Sequence, residues 1–123
     1  MKIVAKILAV DDSASMRQMV TFTLQNSSHD VVDAADGQLA LIEAKKAQFD
    51  LVISDVYMPN MDGITLCGQL RTLPNYKFVP ILLLTTESAK DKKVEGKKAG
   101  ATGWIVKPFN PDQLLGIIKR VLN

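Results

Sequence analysis

Apolar runs alternate with amphipathic stretches five times along this chain. Runs that are apolar at nearly every position are typical of strands buried on both faces of a sheet. They predict strands at residues 3–10, 31–34, 51–55, 79–84 and 101–106. After each strand, apolar residues recur at helical spacing. This (βα)5 alternation predicts an α/β fold, a doubly wound parallel five-stranded sheet with helices on both faces.

Each predicted helix begins near a residue that can accept hydrogen bonds from the free N–H groups of the first turn. These residues are Ser13, Asp36, Asp62, Ser88 and Asn110. Pro74 is expected to end helix three. The residues predicted to face the sheet are Met16, Met19, Val20, Thr23 and Leu24 in helix one, Leu39, Ile42 and either Ala40 or Ala44 in helix two, Ile64, Cys67, Leu70 and Leu73 in helix three, and Leu114, Ile117, Ile118, Val121 and Leu122 in helix five.

Composition excludes several classes of function. The 123 residues are expected to form a single domain, 1–123, with no output domain after the last helix. A net charge of +2 is too balanced to suggest a nucleic-acid binder by charge alone, and no apolar run is long enough to span a membrane. Cys67, the single cysteine, is expected to be a buried thiol in a reducing cytoplasm. His29, the single histidine, lies in a predicted loop and is assigned no functional role.

The informative polar residues lie where the predicted strands end. Asp11 and Asp12 follow strand one, Asp55 ends strand three, Thr85 follows strand four and Lys107 follows strand five. Ligands of doubly wound sheets bind outside the carboxyl ends of the strands, so these side chains are expected to converge. Each alone has an ordinary explanation as a cap, a turn residue or a surface lysine. Together, at four strand ends, they indicate one site.

Three carboxylates held together repel one another unless cations neutralise them. Lys107 supplies one positive charge. The oxygen-only set of donors, without His or Cys, indicates Mg²⁺, with Mn²⁺ as the alternative. A divalent cation, a lysine, a hydroxyl and a carboxylate nucleophile are the groups that phosphoryl transfer uses. The sequence therefore predicts a magnesium-assisted phosphoryl-transfer site at this edge of the sheet.

The same residues resemble the receiver domain of two-component response regulators. The matching motifs cover the whole chain and are Asp11-Asp12, Asp55 with Met58-Pro59, Thr85, and Lys107-Pro108-Phe109. Residues 58–63 and 103–109 are similar to the chemotaxis members of this family. The resemblance implies the flavodoxin-like, CheY-like fold with strand order 2-1-3-4-5.

The resemblance also implies a role for each residue. Asp55 would accept a phosphoryl group from a phosphohistidine. Its Mg²⁺ ligands would be Asp12, Asp55 and the backbone carbonyl of Tyr57, with Asp11 in the outer coordination shell. Lys107 would contact the phosphoryl group and form a cis peptide bond with Pro108. Thr85 would be the switch hydroxyl, and Trp104 the aromatic residue that moves inward with it. Trp104 stands where chemotaxis domains most often have tyrosine, and its alternative role is a packing residue.

The implied partners are a sensor histidine kinase of the chemotaxis type, a flagellar motor switch protein and a phosphatase. The chain would be a cytoplasmic monomer that is not an enzyme and binds neither nucleic acid nor a membrane. Helix four, predicted from 89 to 99 and ended by Gly100, is rich in lysine, which favours an acidic partner. Its one large apolar residue is Val94, so we expect a solvated helix that is easily repositioned.

Four other functions are considered for the same residues. The chain could serve as a phosphate sink or as a receiver outside flagellar control. Phosphatases of the haloacid-dehalogenase class also use an aspartate nucleophile with Mg²⁺, but Tyr57 stands where that class has its second aspartate. A flavin-binding module is disfavoured, because Asp11 and Asp12 would repel the flavin phosphate.

Overall fold

The computed structural model describes residues 4–86 and 90–122. Its strands are β1 (Lys6–Val10), β2 (Asp30–Ala34), β3 (Leu51–Asp55), β4 (Ile81–Thr86) and β5 (Gly103–Lys107). Its helices are α1 (Ala14–Asn26), α2 (Gly37–Lys46), α3 (Gly63–Arg71), α4 (Lys90–Ala99) and α5 (Pro111–Leu122), and a short 3₁₀ helix spans Pro74–Tyr76. The strands pair in parallel in the order β2-β1-β3-β4-β5, which confirms the predicted fold.

The sheet separates two apolar cores, which explains why its central strands are apolar at consecutive positions. Side chains alternate between the two faces along each strand. One face packs against α1 and α5 through Val20, Leu24, Leu114 and Ile118. The other packs against α2 and α3 through Ala40, Ala44, Leu66, Cys67 and Leu70. A strand between two such layers must be apolar on both faces, and this produced the sequence signal.

The predicted inner face of α2 is wrong in part. Leu39 and Ile42 are 47% and 50% exposed, whereas Ala40 and Ala44 are buried. The Asp36 carboxylate accepts a hydrogen bond from the Leu39 N–H and so caps the first turn of this helix. Ala40 and Ala44, two small residues four apart, face the sheet, Leu41 packs against the core, and Leu39 and Ile42 turn to solvent.

Several element boundaries also differ from the prediction. β1 begins at Lys6, so residues 4 and 5 precede it. β4 begins at Ile81 instead of residue 79, because Pro80 has no N–H to donate to a neighbouring strand. β5 begins at Gly103 instead of residue 101, since the Ala101 N–H bonds back to the Gly96 carbonyl in α4. α3 ends at Arg71, short of the predicted end at Pro74. The predicted starts at Ile3, Ser88 and residue 89 lie outside the described residues.

The predicted helix starts are confirmed where the structure describes them. Side-chain oxygens of Ser13, Asp36 and Asp62 accept hydrogen bonds from N–H groups in the first turns of α1, α2 and α3. At the start of α5, Asn110 and Gln113 exchange two side-chain-to-backbone bonds of 2.8 and 2.9 Å. This reciprocal pair is the capping box expected from the sequence.

Arg71, the last residue of α3, holds three segments together. Its guanidinium donates to the carbonyl oxygens of Tyr76 and Val79, each at 2.7 Å, and to that of Gly100 at 2.8 and 3.0 Å. Gly100 has a φ of 106°, which suits its predicted role as the C-terminal cap of α4. Arg71 therefore ties the end of α3 to the connection before β4 and to the end of α4.

The remaining expectations concern single residues and membrane segments. Cys67 is a buried free thiol, and burial raises its pKa, as expected for a structural cysteine. The Nδ1 atom of His29 accepts a hydrogen bond from the Ala5 N–H. Among the described residues, no helix has both the length and the apolar character needed to cross a membrane.

Candidate functional site

The carboxyl ends of four strands bring the predicted polar residues to one edge of the sheet. β3 lies between β1 and β4, so Asp55 stands between the ends of its two neighbours. Lys107 Nζ, at the end of β5, lies 3.3 Å from Asp55 Oδ1 and 3.5 Å from Asp11 Oδ2. One carboxylate oxygen each of Asp11, Asp12 and Asp55 lies within 4.8 Å of the other two. The structure therefore brings all three carboxylates and the ammonium group together.

Burial and the positive charge of Lys107 have opposite effects on the pKa of Asp55. Its side chain is 12% exposed, and that of Lys107 is 17% exposed. Loss of solvent raises the pKa of Asp55, the Lys107 ammonium lowers it and the Asp11 carboxylate raises it, with a net increase. The Val56 N–H donates to Asp55 Oδ1 at 2.9 Å and orients the carboxylate. Asp55 is thus ionised at a free-energy cost that a further cation would reduce.

The donor set fits a small divalent cation. Asp11 Oδ1 accepts the Ser13 N–H at 2.9 Å and Asp11 Oδ2 faces Lys107, so both of its oxygens have partners within the protein. Asp12 is exposed at the same edge, and Asp55 is the third member of the cluster. Tyr57 follows in the loop after β3. Carboxylate and carbonyl oxygens are the donors that Mg²⁺ prefers, and Asp12 and Asp55 are the carboxylates most available to it.

Thr85 is a buried polar residue without a partner at this edge. It is 1% exposed, and its Oγ1 has no hydrogen-bond partner among the described residues. A buried hydroxyl without a partner costs about 1–3 kcal/mol. Leu83 and Thr85 face the same side of β4, as do their β5 neighbours Trp104 and Val106. Trp104, which is partly buried, therefore lies on the same face of the sheet as the unpartnered hydroxyl.

Two glycines let the backbone pack closely around Asp55. A Cβ atom on Gly63 would lie 2.1 Å from the carbonyl oxygen of Asp55, and one on Gly37 would lie 2.5 Å from that of Met61. The Gly63 N–H donates to the Val56 carbonyl at 2.9 Å, and the Gly37 N–H donates to the Met61 carbonyl at 3.1 Å. The first turns of α2 and α3 thus hold the loop that follows β3.

Sequence reasoning missed two side chains that hold this edge in place. Arg17 donates to the Asp11 carbonyl oxygen at 2.7 Å and to the Asp33 carboxylate at 3.1 Å. Asn60 donates to the Asp36 carboxylate at 2.8 Å, which lowers the pKa of Asp36 together with the stronger effect of the Leu39 N–H. These partners are distant in the chain or are backbone carbonyls, so no spacing in the sequence could indicate them.

A family model described as the response regulator receiver domain matches residues 7–119. The chain belongs to this family. Solved structures similar to this receiver domain include the chemotaxis response regulator CheY4 of Vibrio cholerae. That structure aligns with a TM-score of 0.92 and 56% sequence identity, covering 97% of this chain and 99% of CheY4.

Curated relatives of this receiver domain include both chemotaxis and transcriptional proteins. The chemotaxis protein CheY-3 of Vibrio cholerae serotype O1 is 40% identical over 105 residues, which are 85% of this chain and 81% of CheY-3. The alkaline phosphatase synthesis transcriptional regulatory protein PhoP of Bacillus subtilis is 38% identical over 117 residues, or 95% of this chain. The receiver domain spans 48% of the length of PhoP and of two other transcriptional regulators.

Membership of the family indicates the general function of this site. Receiver domains are signalling domains that interact with histidine kinases and bind Mg²⁺ at an acidic cluster of aspartates. Asp11, Asp12 and Asp55 form such a cluster in this receiver domain. The Lys107–Pro108 peptide bond is cis, as the resemblance implied.

Replacing Thr85 with valine is expected to stabilise the unphosphorylated receiver domain by about 1 kcal/mol. Valine has nearly the same shape and lacks the buried hydroxyl, which has no partner among the described residues. The measurement is urea unfolding in the absence of Mg²⁺. Thr102→Val is the matched control, because the Thr102 hydroxyl accepts the Ile81 N–H at 3.0 Å and its loss should destabilise the fold. A similar loss of stability in both variants would contradict the prediction.

Replacing Asp55 with asparagine is expected to stabilise the fold by about 1 kcal/mol at neutral pH without Mg²⁺. The raised pKa of Asp55 means that the folded protein binds a proton there more tightly than the unfolded chain does. Tighter proton binding at Asp55 therefore stabilises the folded wild type fully below the ordinary aspartate pKa of 3.8. This stabilisation is lost as pH rises through the raised pKa of Asp55. The free energy of unfolding of Asp55→Asn, relative to that of wild type, should therefore increase over this pH range.

Urea unfolding of both proteins at acidic and neutral pH measures this dependence on Asp55. Asp12→Asn, which removes the same charge from an exposed residue of the cluster, should give a smaller gain. An advantage of Asp55→Asn that is equal at every pH would show that its origin is not the titration of Asp55.

Proposed function

We propose that this receiver domain is a phosphoacceptor switch of the chemotaxis type, in which Asp55 takes a phosphoryl group from a sensor histidine kinase. The proposal rests on one arrangement of side chains around Asp55. Lys107 lies between the carboxylates of Asp55 and Asp11, and the unpartnered hydroxyl of Thr85 stands on the adjacent strand. A group placed on Asp55 with several negatively charged oxygens would give both Lys107 and Thr85 an acceptor.

The chemical step is the transfer of a phosphoryl group from nitrogen to oxygen. A carboxylate oxygen of Asp55 attacks the phosphorus of a phosphohistidine on the kinase. The new O–P bond forms as the P–N bond breaks, and the electron pair of that bond returns to the imidazole nitrogen. The product on this chain is an aspartyl phosphate. The imidazole nitrogen that leaves takes up a proton from water where it needs one, so the kinase keeps a neutral histidine.

The residues around Asp55 lower the free energy of this step. A magnesium ion bound by Asp12, Asp55 and the Tyr57 carbonyl, with Asp11 in the outer shell, would neutralise charge on the phosphoryl oxygens. The Lys107 ammonium, 3.3 Å from Asp55 Oδ1, supplies a second positive charge to the same oxygens. The Val56 N–H holds the carboxylate in one orientation, so little reorganisation is needed.

Phosphorylation acts on Thr85 and Trp104 in this proposal. The Thr85 hydroxyl gains a phosphoryl oxygen as acceptor and loses the penalty of its unpartnered state. Movement of Thr85 toward Asp55 opens space on its face of the sheet, and the Trp104 indole moves inward. The surface around β5 and α4 then differs between the two states, and a partner that distinguishes them reads the signal.

The output we propose is control of flagellar rotation through a motor switch protein, with a chemotaxis-type kinase upstream and a phosphatase that resets the signal. The higher identity to the chemotaxis protein CheY4 than to PhoP supports this choice. In this role the chain acts in the cytoplasm as a monomer and carries a signal instead of turning over a small-molecule substrate.

Phosphorylation with acetyl phosphate and Mg²⁺ tests the acceptor. Wild type is expected to gain the mass of one phosphoryl group, Asp55→Asn none, and the control Asp112→Asn the same as wild type. Beryllofluoride should change the fluorescence of Trp104, the single tryptophan, only when Asp55 and Mg²⁺ are present. If wild type gains no mass and its fluorescence does not respond, the switch is refuted. Sustained turnover of a phosphomonoester would instead indicate a phosphatase.

Capture of partners tests the output. Wild type with beryllofluoride is expected to retain a flagellar motor switch protein, and wild type without it to retain much less. Asp55→Asn should not distinguish the two conditions. Binding of the kinase with no beryllofluoride-dependent partner would contradict the flagellar output and favour a phosphate sink.

A further inference from the structure

Gly96, in the middle of α4, is covered by the Trp104 indole. A Cβ atom at position 96 would lie 2.9 Å from Trp104 Cζ3 and 2.9 Å from Leu83 Cδ1. Leu83 is fully buried in the core and has little room to yield, whereas Trp104 is only partly buried. Glycine inside a helix is less favourable than alanine by about 1 kcal/mol. Close packing against the indole therefore gives a physical reason for glycine at this position.

The other contacts of α4 that the structure describes include the packing of Ala99 against the core. Its large apolar residue, Val94, is 57% exposed and faces away from the core. At the C-terminal end, the Cys67 thiol donates to the Ala99 carbonyl at 3.6 Å, and Arg71 donates to the Gly100 carbonyl. The contact of Gly96 with Trp104 and Leu83 thus attaches the middle of the helix to apolar side chains of the sheet.

We propose that Gly96 is a positioning residue for Trp104 and couples the indole to α4. The inference rests on the proposed function, in which Trp104 moves when Thr85 binds the phosphoryl group. Because no side chain separates the ring from the helix backbone, the indole supports the middle of α4 directly. When the indole moves inward, this support is lost, and α4 shifts about its C-terminal end, where Arg71 holds Gly100.

The pair is also matched in size. Tryptophan has the largest side chain, and glycine has none, so the indole can lie directly against the backbone of α4. A helix residue with a side chain would require either a smaller aromatic residue at position 104 or a more distant helix. Trp104, the residue that departs from the usual tyrosine of chemotaxis domains, is therefore accommodated by Gly96.

A double-mutant cycle measured by urea unfolding tests the contact without any phosphoryl chemistry. Gly96→Ala is expected to lower the folding equilibrium constant roughly tenfold relative to Gly68→Ala. Gly68 is the control, since it also lies inside a helix and a Cβ there would meet open space. In a Trp104→Val background, Gly96→Ala should cost less, because only the contact of the new Cβ with Leu83 Cδ1 remains. Equal costs in both backgrounds would overturn the proposed contact.

Hydrogen exchange of the α4 amides tests the coupling. Beryllofluoride with Mg²⁺ is expected to speed exchange in α4 of wild type severalfold, and to leave it unchanged in Trp104→Val. Binding of beryllofluoride to both proteins is measured separately by fluorine NMR. If wild type does not bind it, the proposed function fails and the coupling with it. If both proteins bind it and α4 responds equally or not at all, the coupling alone is refuted.

Discussion

Replacing Lys107 with methionine is expected to slow transfer of a phosphoryl group to Asp55 about a hundredfold. Lys107 Nζ lies 3.3 Å from Asp55 Oδ1 and is the ammonium group nearest the carboxylate among the described residues. Methionine keeps the length of the side chain and removes the charge that would neutralise a phosphoryl oxygen. The rate at which the phosphoryl mass appears from acetyl phosphate and Mg²⁺ measures the effect. Lys97→Met, on the exposed surface of α4, changes the net charge equally and should react like wild type.

The affinity for Mg²⁺ should change in the opposite direction. Without Lys107, the carboxylates of Asp11, Asp12 and Asp55 lack their cation, so a divalent ion binds more tightly. Calorimetric titration of the variant measures this gain. Slow transfer with tighter Mg²⁺ binding is the expected pair of results. A transfer rate equal to that of wild type would show that Lys107 does not contact the phosphoryl group.

Replacing Gly63 with alanine is expected to destabilise the fold by about 3 kcal/mol or more. The new Cβ would lie 2.1 Å from the carbonyl oxygen of Asp55 and 3.0 Å from Ser54 Oγ, and both belong to the buried end of β3. Backbone atoms of a central strand cannot yield as a flexible side chain can, so α3 must move away from the sheet. Urea unfolding, followed by circular dichroism, measures the loss.

Gly68→Ala is the control for Gly63→Ala within the same helix. A Cβ at position 68 meets nothing within 4 Å, so only the intrinsic helix preference changes. This control should gain up to about 1 kcal/mol. Two variants of equal stability would contradict the role of Gly63 as the point of closest approach between α3 and Asp55.

The convergence of Asp11, Asp55 and Lys107 could be predicted because it follows from one rule. When parallel strands alternate with helices, their carboxyl ends lie at one edge, so residues that end different strands become neighbours. The rule requires only that the strands be assigned, and the continuous apolar runs identified all five strands. It did not supply the contacts within the cluster, such as the bond from Arg17 to the Asp11 carbonyl, because those depend on side-chain geometry.

The prediction for α2 was wrong in part because hydrophobicity and close packing favour different residues. In α2, Leu39 and Ile42 are the large apolar residues at helical spacing, but the buried positions are Ala40 and Ala44. A hydrophobicity pattern favours the larger side chains, whereas packing selects the residues that allow close approach to the sheet. Arg71 was missed for a related reason, since its partners are backbone carbonyls that exist as a group only after the chain has folded.

The order of residues along the chain was enough to predict the alternation of strands and helices, the caps of four helices and the kinds of groups at the strand ends. These depend on neighbouring residues, through side-chain period and local hydrogen bonds. Three features depend instead on how separate elements pack: Lys107 pairs with Asp11 and Asp55, the Thr85 hydroxyl has no partner among the described residues, and Trp104 covers Gly96. Each of these depends on burial and on distances between separate elements, which appear only when the sheet and its helices are packed together.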